Sequence, residues 1–172
     1  EDKRFRTIKP SATQFFMTWT LQGLWVSLCS MCALTAISSD SGVVMNALFY
    51  LGLGLFLYGF ITEVIADKQK TAFRSIPENR DKFITSGLWA KSRHPNFFGE
   101  IVLWSGIAVM SFSSLNGLQY LTLISPFFTY LLLVYVSGVR MLEDRADKKW
   151  GHDEDYIKYK SETPVLLINF MK

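Results

Sequence analysis

The sequence is poor in the residues that build metal sites or disulfide scaffolds. Among 172 residues there are two cysteines, Cys29 and Cys32, and two histidines, His94 and His152. Two thiols are too few for a disulfide framework, and the imidazoles stand too far apart in sequence for a ligand set, so no metal is expected. Cys29 and Cys32 form a CxxC inside an apolar run with no other thiol or imidazole beside it. They read as small packing residues rather than a redox pair. Repeats, low-complexity tracts and Gly/Ser linkers are also missing, which predicts one domain over 1–172. Charged residues make up 19% of the chain, and four long stretches almost lack them.

Those four stretches carry the fold. Hydrophobic residues make up 49% of the chain and aromatics 15%. The apolar runs cover about 13–37, 43–62, 97–115 and 118–139, and Glu100 is the one charged residue inside them. Each approaches the roughly 20 residues that a helix needs to cross a bilayer core. Hydrocarbon offers backbone amides no partner, and the runs do not alternate as barrel strands do, so each is expected to be a helix. A soluble core is excluded because the remaining polar sequence could not cover four such helices. The expected fold is therefore all-α, a polytopic membrane bundle with four transmembrane helices and a polar C-terminal helical segment.

Charge orients the bundle. All 18 Lys and Arg residues fall before the first run, between the second and third, or after the fourth. The connections near residues 38–42 and 113–117 hold none. All basic residues are thus expected on one membrane face, as the positive-inside bias requires. A basic face beside anionic headgroups accounts for the net charge of +3 without nucleic acid, and no nucleic-acid partner is expected. The membrane is expected to be an endomembrane or an organellar inner membrane. The N-terminal EDKRFRTIKP is charged and the run after it is too long for a signal h-region, so no cleavable signal is expected.

The interesting residues lie on the charged side, in 63–96 and 140–172. Glu63, Asp67, Lys70 and Arg74 recur at helical spacing, which extends the second helix to Ile76-Pro77, where the residue before proline is pushed out of the α region. Gly151 is expected to divide a polar helix over 140–160. The segment Ser92-Arg93-His94-Pro95-Asn96-Phe97-Phe98-Gly99-Glu100 brings a cation, an imidazole, a helix-starting proline and a carboxylate to the membrane boundary. Pro95 suits a first helical turn, whose free amides favour an anion. Glu100 then lies about one turn inside the membrane, where an ionisable group is a functional candidate. Glu100 and His94 are the candidate catalytic residues. The blander readings make Arg93 a lipid-phosphate contact, His94 a helix cap and Glu100 the partner of Arg140. Arg140, Glu143, Asp144 and Asp147 share a face after the fourth run, and closure of the bundle is expected to bring Arg140 and Arg145 toward Glu100 and Asp67, where Arg can grip phosphate bidentately. Tyr156 and Tyr159 read first as interface anchors.

The stretch Phe83 to Glu100, FITSGLWAKSRHPNFFGE, resembles the hallmark of the steroid 5α-reductase-like membrane proteins. Glu63-Val-Ile-Ala-Asp67-Lys-Gln69-Lys70 before it, and Ser137-Gly-Val-Arg-Met-Leu-Glu143 through Gly151 with Tyr156, Tyr159 and Thr163-Pro164 after it, resemble a little-characterised branch of that family. Glu1-Asp2-Lys3-Arg4 fits the same pattern. The resemblance implies a C-terminal catalytic module with NADPH on the charged face and a lipid-like substrate from the bilayer. It assigns Asp67, Asn96, Glu100 and Arg140 to the cofactor, and Arg93 and Arg145 join them as cofactor-binding candidates. In reductases the groups that polarise the substrate ketone sit on earlier helices, which implies positions upstream of Glu1. The Glu143-Asp144-Arg145 pattern with Trp150-Gly151 and Tyr156-x-x-Tyr159 also resembles membrane methyltransferases of prenylcysteine or phospholipid amines, whose cofactor is S-adenosylmethionine. The resulting expectation is an NADPH-dependent reductase of a lipid enone or double bond. The alternatives are such a methyltransferase, or a cofactor-free structural subunit among other membrane subunits.

Overall fold

The computed structural model describes residues 5–40 and 42–169, so Lys3, Arg4 and the Glu1–Arg4 resemblance lie outside it. The described residues form no strand. A short α1 (Phe5–Ile8) leads to α2 (Ala12–Ser38), which Ser11 caps by accepting from the Gln14 amide. Next comes α3 (Ala47–Ser75), capped by Asn46. It runs past the membrane stretch and stops at Ile76, whose ψ of 117° is extended as the following proline demands. Helix α4 (Pro95–Ser111) starts on its proline, where a missing amide costs nothing.

Four helical stretches are long and apolar enough to cross a membrane: Ala12–Ser38, Ala47–Ser75, Pro95–Ser114 and Gly117–Trp150. The protein is an all-α integral membrane bundle. The fourth stretch departs from the expected single helix. Gly117–Ile124 is a 3₁₀ segment, α5 (Ser125–Leu131) carries Pro126 in its first turn, Leu132–Val136 widens to a π turn, and the chain breaks at Ser137-Gly138. A Cβ on Gly138 would lie 2.0 Å from the Leu133 carbonyl oxygen, so glycine is needed there. After the break comes α6 (Val139–Trp150), and Gly151 separates it from α7 (Glu154–Glu162), as the sequence predicts.

The tightest packing is between the antiparallel α3 and α4. Gly52 and Gly59 on α3 face Gly106 and Gly99 on α4, each pair seven residues apart. A Cβ on Gly59 would fall 2.5 Å from the Gly99 carbonyl oxygen, and one on Gly106 2.5 Å from the Phe56 amide. The two backbones therefore touch, which is how helices associate in lipid without a hydrophobic drive. Gly54 faces open space and has no part in this seam. The buried residues of helix α2, Cys29, Cys32 and Ala36, lie in its distal half. Cys29 accepts from Ser125 through its carbonyl and meets the Thr129 hydroxyl at 3.4 Å through sulfur, so the CxxC is a packing element.

The two ends of the bundle differ. At one end, Val44 N donates to Ser114 Oγ and Asn46 Nδ2 to Ser113 Oγ, closing two loops that hold no Lys or Arg. At the other, residues 80–94 are hydrogen-bonded to residues 149–169, and the basic residues of both segments share that end.

Candidate functional site

The site is assembled at the charged end by the loop between α3 and α4, by α6 and α7, and by the C-terminal segment that follows. Trp89 forms its floor. Its indole donates to the Ala66 carbonyl at 3.0 Å, and the Lys70 ammonium lies 4.8 Å from its ring centre. Gln69 accepts from the Leu88 amide at 2.9 Å and fixes the loop to α3. Residues 164–169 then strap the signature from outside. Arg93 N donates to Pro164 O, His94 N to Val165 O and Asn169 N to Lys91 O, while buried Ser92 donates to Leu166 O.

Glu143 on α6 holds the signature in place. One of its oxygens pairs with Arg93 Nη1 at 2.5 Å and the other meets His94 Nε2 at 2.8 Å. All three side chains are largely buried, with 12%, 8% and 18% of Arg93, His94 and Glu143 exposed. The network continues outward. Lys160 lies 3.7 Å from Glu143 and 2.5 Å from Asp147, which also accepts from the Tyr156 hydroxyl at 2.8 Å. The Tyr159 hydroxyl donates to the Trp89 carbonyl at 2.6 Å. Burial pushes both phenols above their usual range, with the Asp147 carboxylate adding to the effect at Tyr156, so both stay protonated donors at neutral pH. Tyr156 is buried and Tyr159 half-buried; both act as internal struts, not as the expected interface anchors.

Over this network opens a cleft of about 400 Å³. Six cations line it, Lys70, Arg74, Lys82, Arg93, Arg145 and Lys149, against the single carboxylate of Glu143, which Arg93 and His94 already engage. Aromatic rings supply the other walls: Phe83 meets Trp150, Tyr156 and Tyr159 with ring centres 5.3–5.8 Å apart. Arg93 Nε is buried with no hydrogen-bond partner. Cations beside π-faces suit a ligand with phosphates and a flat ring.

Sequence reasoning brought part of this together. Arg93, His94 and Arg145 line the cleft. Asp67, Asn96, Glu100 and Arg140 do not. Arg140 is exposed and forms no ion pair with Glu100 or Asp67, because the break at Ser137-Gly138 rotates the face of α6 that meets the signature to Glu143. The expected pairing through Arg140 is thus replaced by Arg93–Glu143–His94. His94 occupies the cap position of α4, yet its side chain makes no cap bond. Glu63, Asp67 and Glu100 lie near one another across α3 and α4, with Trp104 against Glu100, and Asn96 Oδ1 is buried without a partner. Among the described residues no group of three or more His, Cys, Asp or Glu is placed to hold a metal. Lys70, Arg74, Lys82 and Lys149 were not singled out as ligands. Their signal was only the recurrence of cations in two segments distant in sequence.

Comparison with known proteins agrees with this membrane architecture. The family described as "Protein of unknown function (DUF1295)" matches residues 1–163. The chain belongs to the DUF1295 family. This DUF1295 chain is also 32% identical, over 116 residues, to a protein of Ustilaginoidea virens described as "Probable O-methyltransferase ustE". The alignment takes in 59% of the DUF1295 chain and 41% of the relative, so the chain spans less than half of that protein's length. No solved structure matches it.

Proposed function

We propose that this DUF1295 chain is the cofactor-binding module of a membrane reductase that uses NADPH to reduce an enone or double bond in a lipid. The observation that carries the reading is the charge of the cleft, with six basic side chains against one carboxylate already engaged. NADPH is a polyanion with three phosphates and two ring systems, matched by these cations and by the Phe83, Trp89, Trp150, Tyr156 and Tyr159 surfaces. The unpartnered Arg93 Nε is a further donor available to it. In this arrangement Lys70, Arg74, Arg145 and Lys149 hold phosphate, the aromatic walls hold a ring, and Glu143 keeps Arg93 and His94 in position. NADPH when bound supplies the hydride; the protein orients it and excludes water.

A methyltransferase is the second reading, favoured by the relative named as a probable O-methyltransferase. S-adenosylmethionine carries a sulfonium and an ammonium against one carboxylate, a net positive charge that the same six cations disfavour.

A thermal-shift titration of the detergent-solubilised protein with NADPH and S-adenosylmethionine in parallel tests both. Saturating NADPH is expected to stabilise the protein, by about 2.7 kcal/mol at 100 times the dissociation constant. Arg74→Ala and Arg145→Ala are each expected to weaken NADPH binding about tenfold, the worth of a charge-assisted hydrogen bond. A shift with S-adenosylmethionine alone selects the methyltransferase. A cooperative melt that neither ligand moves rejects both and leaves the cofactor-free structural subunit.

A further inference from the structure

The imidazole of His94 is held firmly on one side and left open on the other. Its backbone is pinned by the strap, through the amide bond to Val165 O. The ring stacks on Phe97, with centres 5.6 Å apart and planes within 10°, and Nε2 meets Glu143 at 2.8 Å. An ionised carboxylate, here also paired with Arg93, can only accept, so Nε2 carries the proton of this bond. A neutral imidazole has a single N–H, which leaves Nδ1 as a bare lone pair. A side chain at a helix cap commonly accepts from the free amides of the first turn, yet His94 makes no such bond with α4. Nor is Nδ1 sealed in: among the described residues the enclosed side-chain atoms without a partner are Arg93 Nε and Asn96 Oδ1. The ring is 8% exposed, and it forms part of the cleft wall.

The groups around it are less suited to moving a proton. The hydroxyls of Tyr156 and Tyr159 are engaged by Asp147 and by the Trp89 carbonyl. Glu143 is engaged by Arg93 and His94, and a guanidinium does not release its proton. Imidazole is the side chain that exchanges a proton in the neutral range, and a carboxylate on one ring nitrogen orients the other and stabilises the charged ring. Arg93 and the lysines and arginines of the cleft act in the opposite sense, so the proton is readily given up. His94 also directly precedes α4, at the bilayer boundary where a lipid arrives.

We infer that His94 is the proton-transfer residue of the cleft, with Glu143 fixing its tautomer and Nδ1 meeting the reacting molecule. The inference rests on the reductase reading for the reaction served. When hydride from NADPH forms a C–H bond at one carbon of the lipid double bond, the π pair moves to the other carbon, which takes the proton of Nδ1–H. The N–H bond breaks, its electron pair stays on Nδ1, and water returns the proton. The double bond is reduced, NADPH is oxidised, and one proton is consumed.

The chain has two histidines, and His152 is exposed, so His152→Gln leaves His94 as the one imidazole of the full chain in nanodiscs. Diethylpyrocarbonate, which acylates unprotonated ring nitrogens, is expected to modify the folded protein at Nδ1, identified by NMR of 15N-labelled histidine. Inorganic pyrophosphate, whose binding needs only the cations, and NADPH are each expected to slow this acylation about tenfold at ten times the dissociation constant, by occupancy. Acylation at Nε2, no acylation of the folded protein, or a rate that neither ligand changes overturns the inference. Protection by pyrophosphate alone rejects the NADPH reading while supporting His94 as the nitrogen that faces the ligand. His94→Gln separates catalysis from structure, because the glutamine amide keeps a donor for Glu143 and lacks Nδ1. It is expected to retain the melting temperature and the NADPH thermal shift, and to slow NADPH oxidation by a membrane-dissolved long-chain enone about a hundredfold. Turnover equal to that of the parent in His94→Gln overturns the proton role and leaves the reductase reading standing.

Discussion

Glu143 is the residue on which the charged end depends. It neutralises a cation and hydrogen-bonds an imidazole, all largely out of water, and removing one member of such a group leaves an uncompensated buried charge. Glu143→Gln is expected to lower stability by about 3 kcal/mol, measured as a drop in melting temperature, whereas the double variant Arg93→Met, Glu143→Met is expected to recover much of the loss. Asp81 is the contrast. Its pairing with Lys149 is at 3.0 Å, but its side chain is 86% exposed, and Asp81→Asn should leave the melt unchanged within error. At this scale the sequence was partly legible. Arg93, His94 and Arg145 were marked by lying near the membrane boundary in dense polar motifs. Glu143 was visible only as one acid among several on a helix face, and which of them turns inward depends on a backbone break that no single residue announces.

Among the elements, the α3–α4 pair is the rigid frame. Backbone contact at four glycines aligns the loop that follows α3 with the start of α4, and so positions Trp89 and the signature. Gly59→Leu or Gly99→Leu is expected to unseat the pair, with loss of the cooperative melt. A Cβ at Gly54 meets nothing within 4 Å, so Gly54→Ala is expected to be neutral or slightly stabilising through helix propensity. Fluorescence of Trp89 during unfolding, in a background with the other four tryptophans replaced by phenylalanine, separates the two outcomes. Gly52 and Gly59 are readable as close-approach residues because they sit in an apolar span, although Gly54 in the same span meets nothing within 4 Å. Gly99 and Gly106 were not, since half of a seam has meaning only once its partner is placed. The fourth span reads as one helix by composition, and its 3₁₀ and π segments escape that reading because both keep an apolar, helix-like pattern while changing the turn.

The molecule as a whole is polarised along its axis, with basic segments at one end and short uncharged loops at the other. Single cysteines at Asp40 and Asn116, in a background lacking Cys29 and Cys32, are expected to react with an impermeant maleimide from one side of sealed vesicles. Cysteines at Glu78 and Lys158 are expected to react only from the other. A mixed pattern would contradict the charge-set topology. Hydropathy and charge decided the membrane solvent, the helical class, the number of spans and the end at which polar chemistry gathers, because lipid forbids unpaired backbone and the charge bias acts on segments without regard to their packing. Only the tertiary structure decided which cations share a cleft and which carboxylate engages Arg93. The Arg93–Glu143 pair joins residues 50 positions apart, and the cleft joins cations of the α3–α4 region to those of α6, so local pattern carries no record of either.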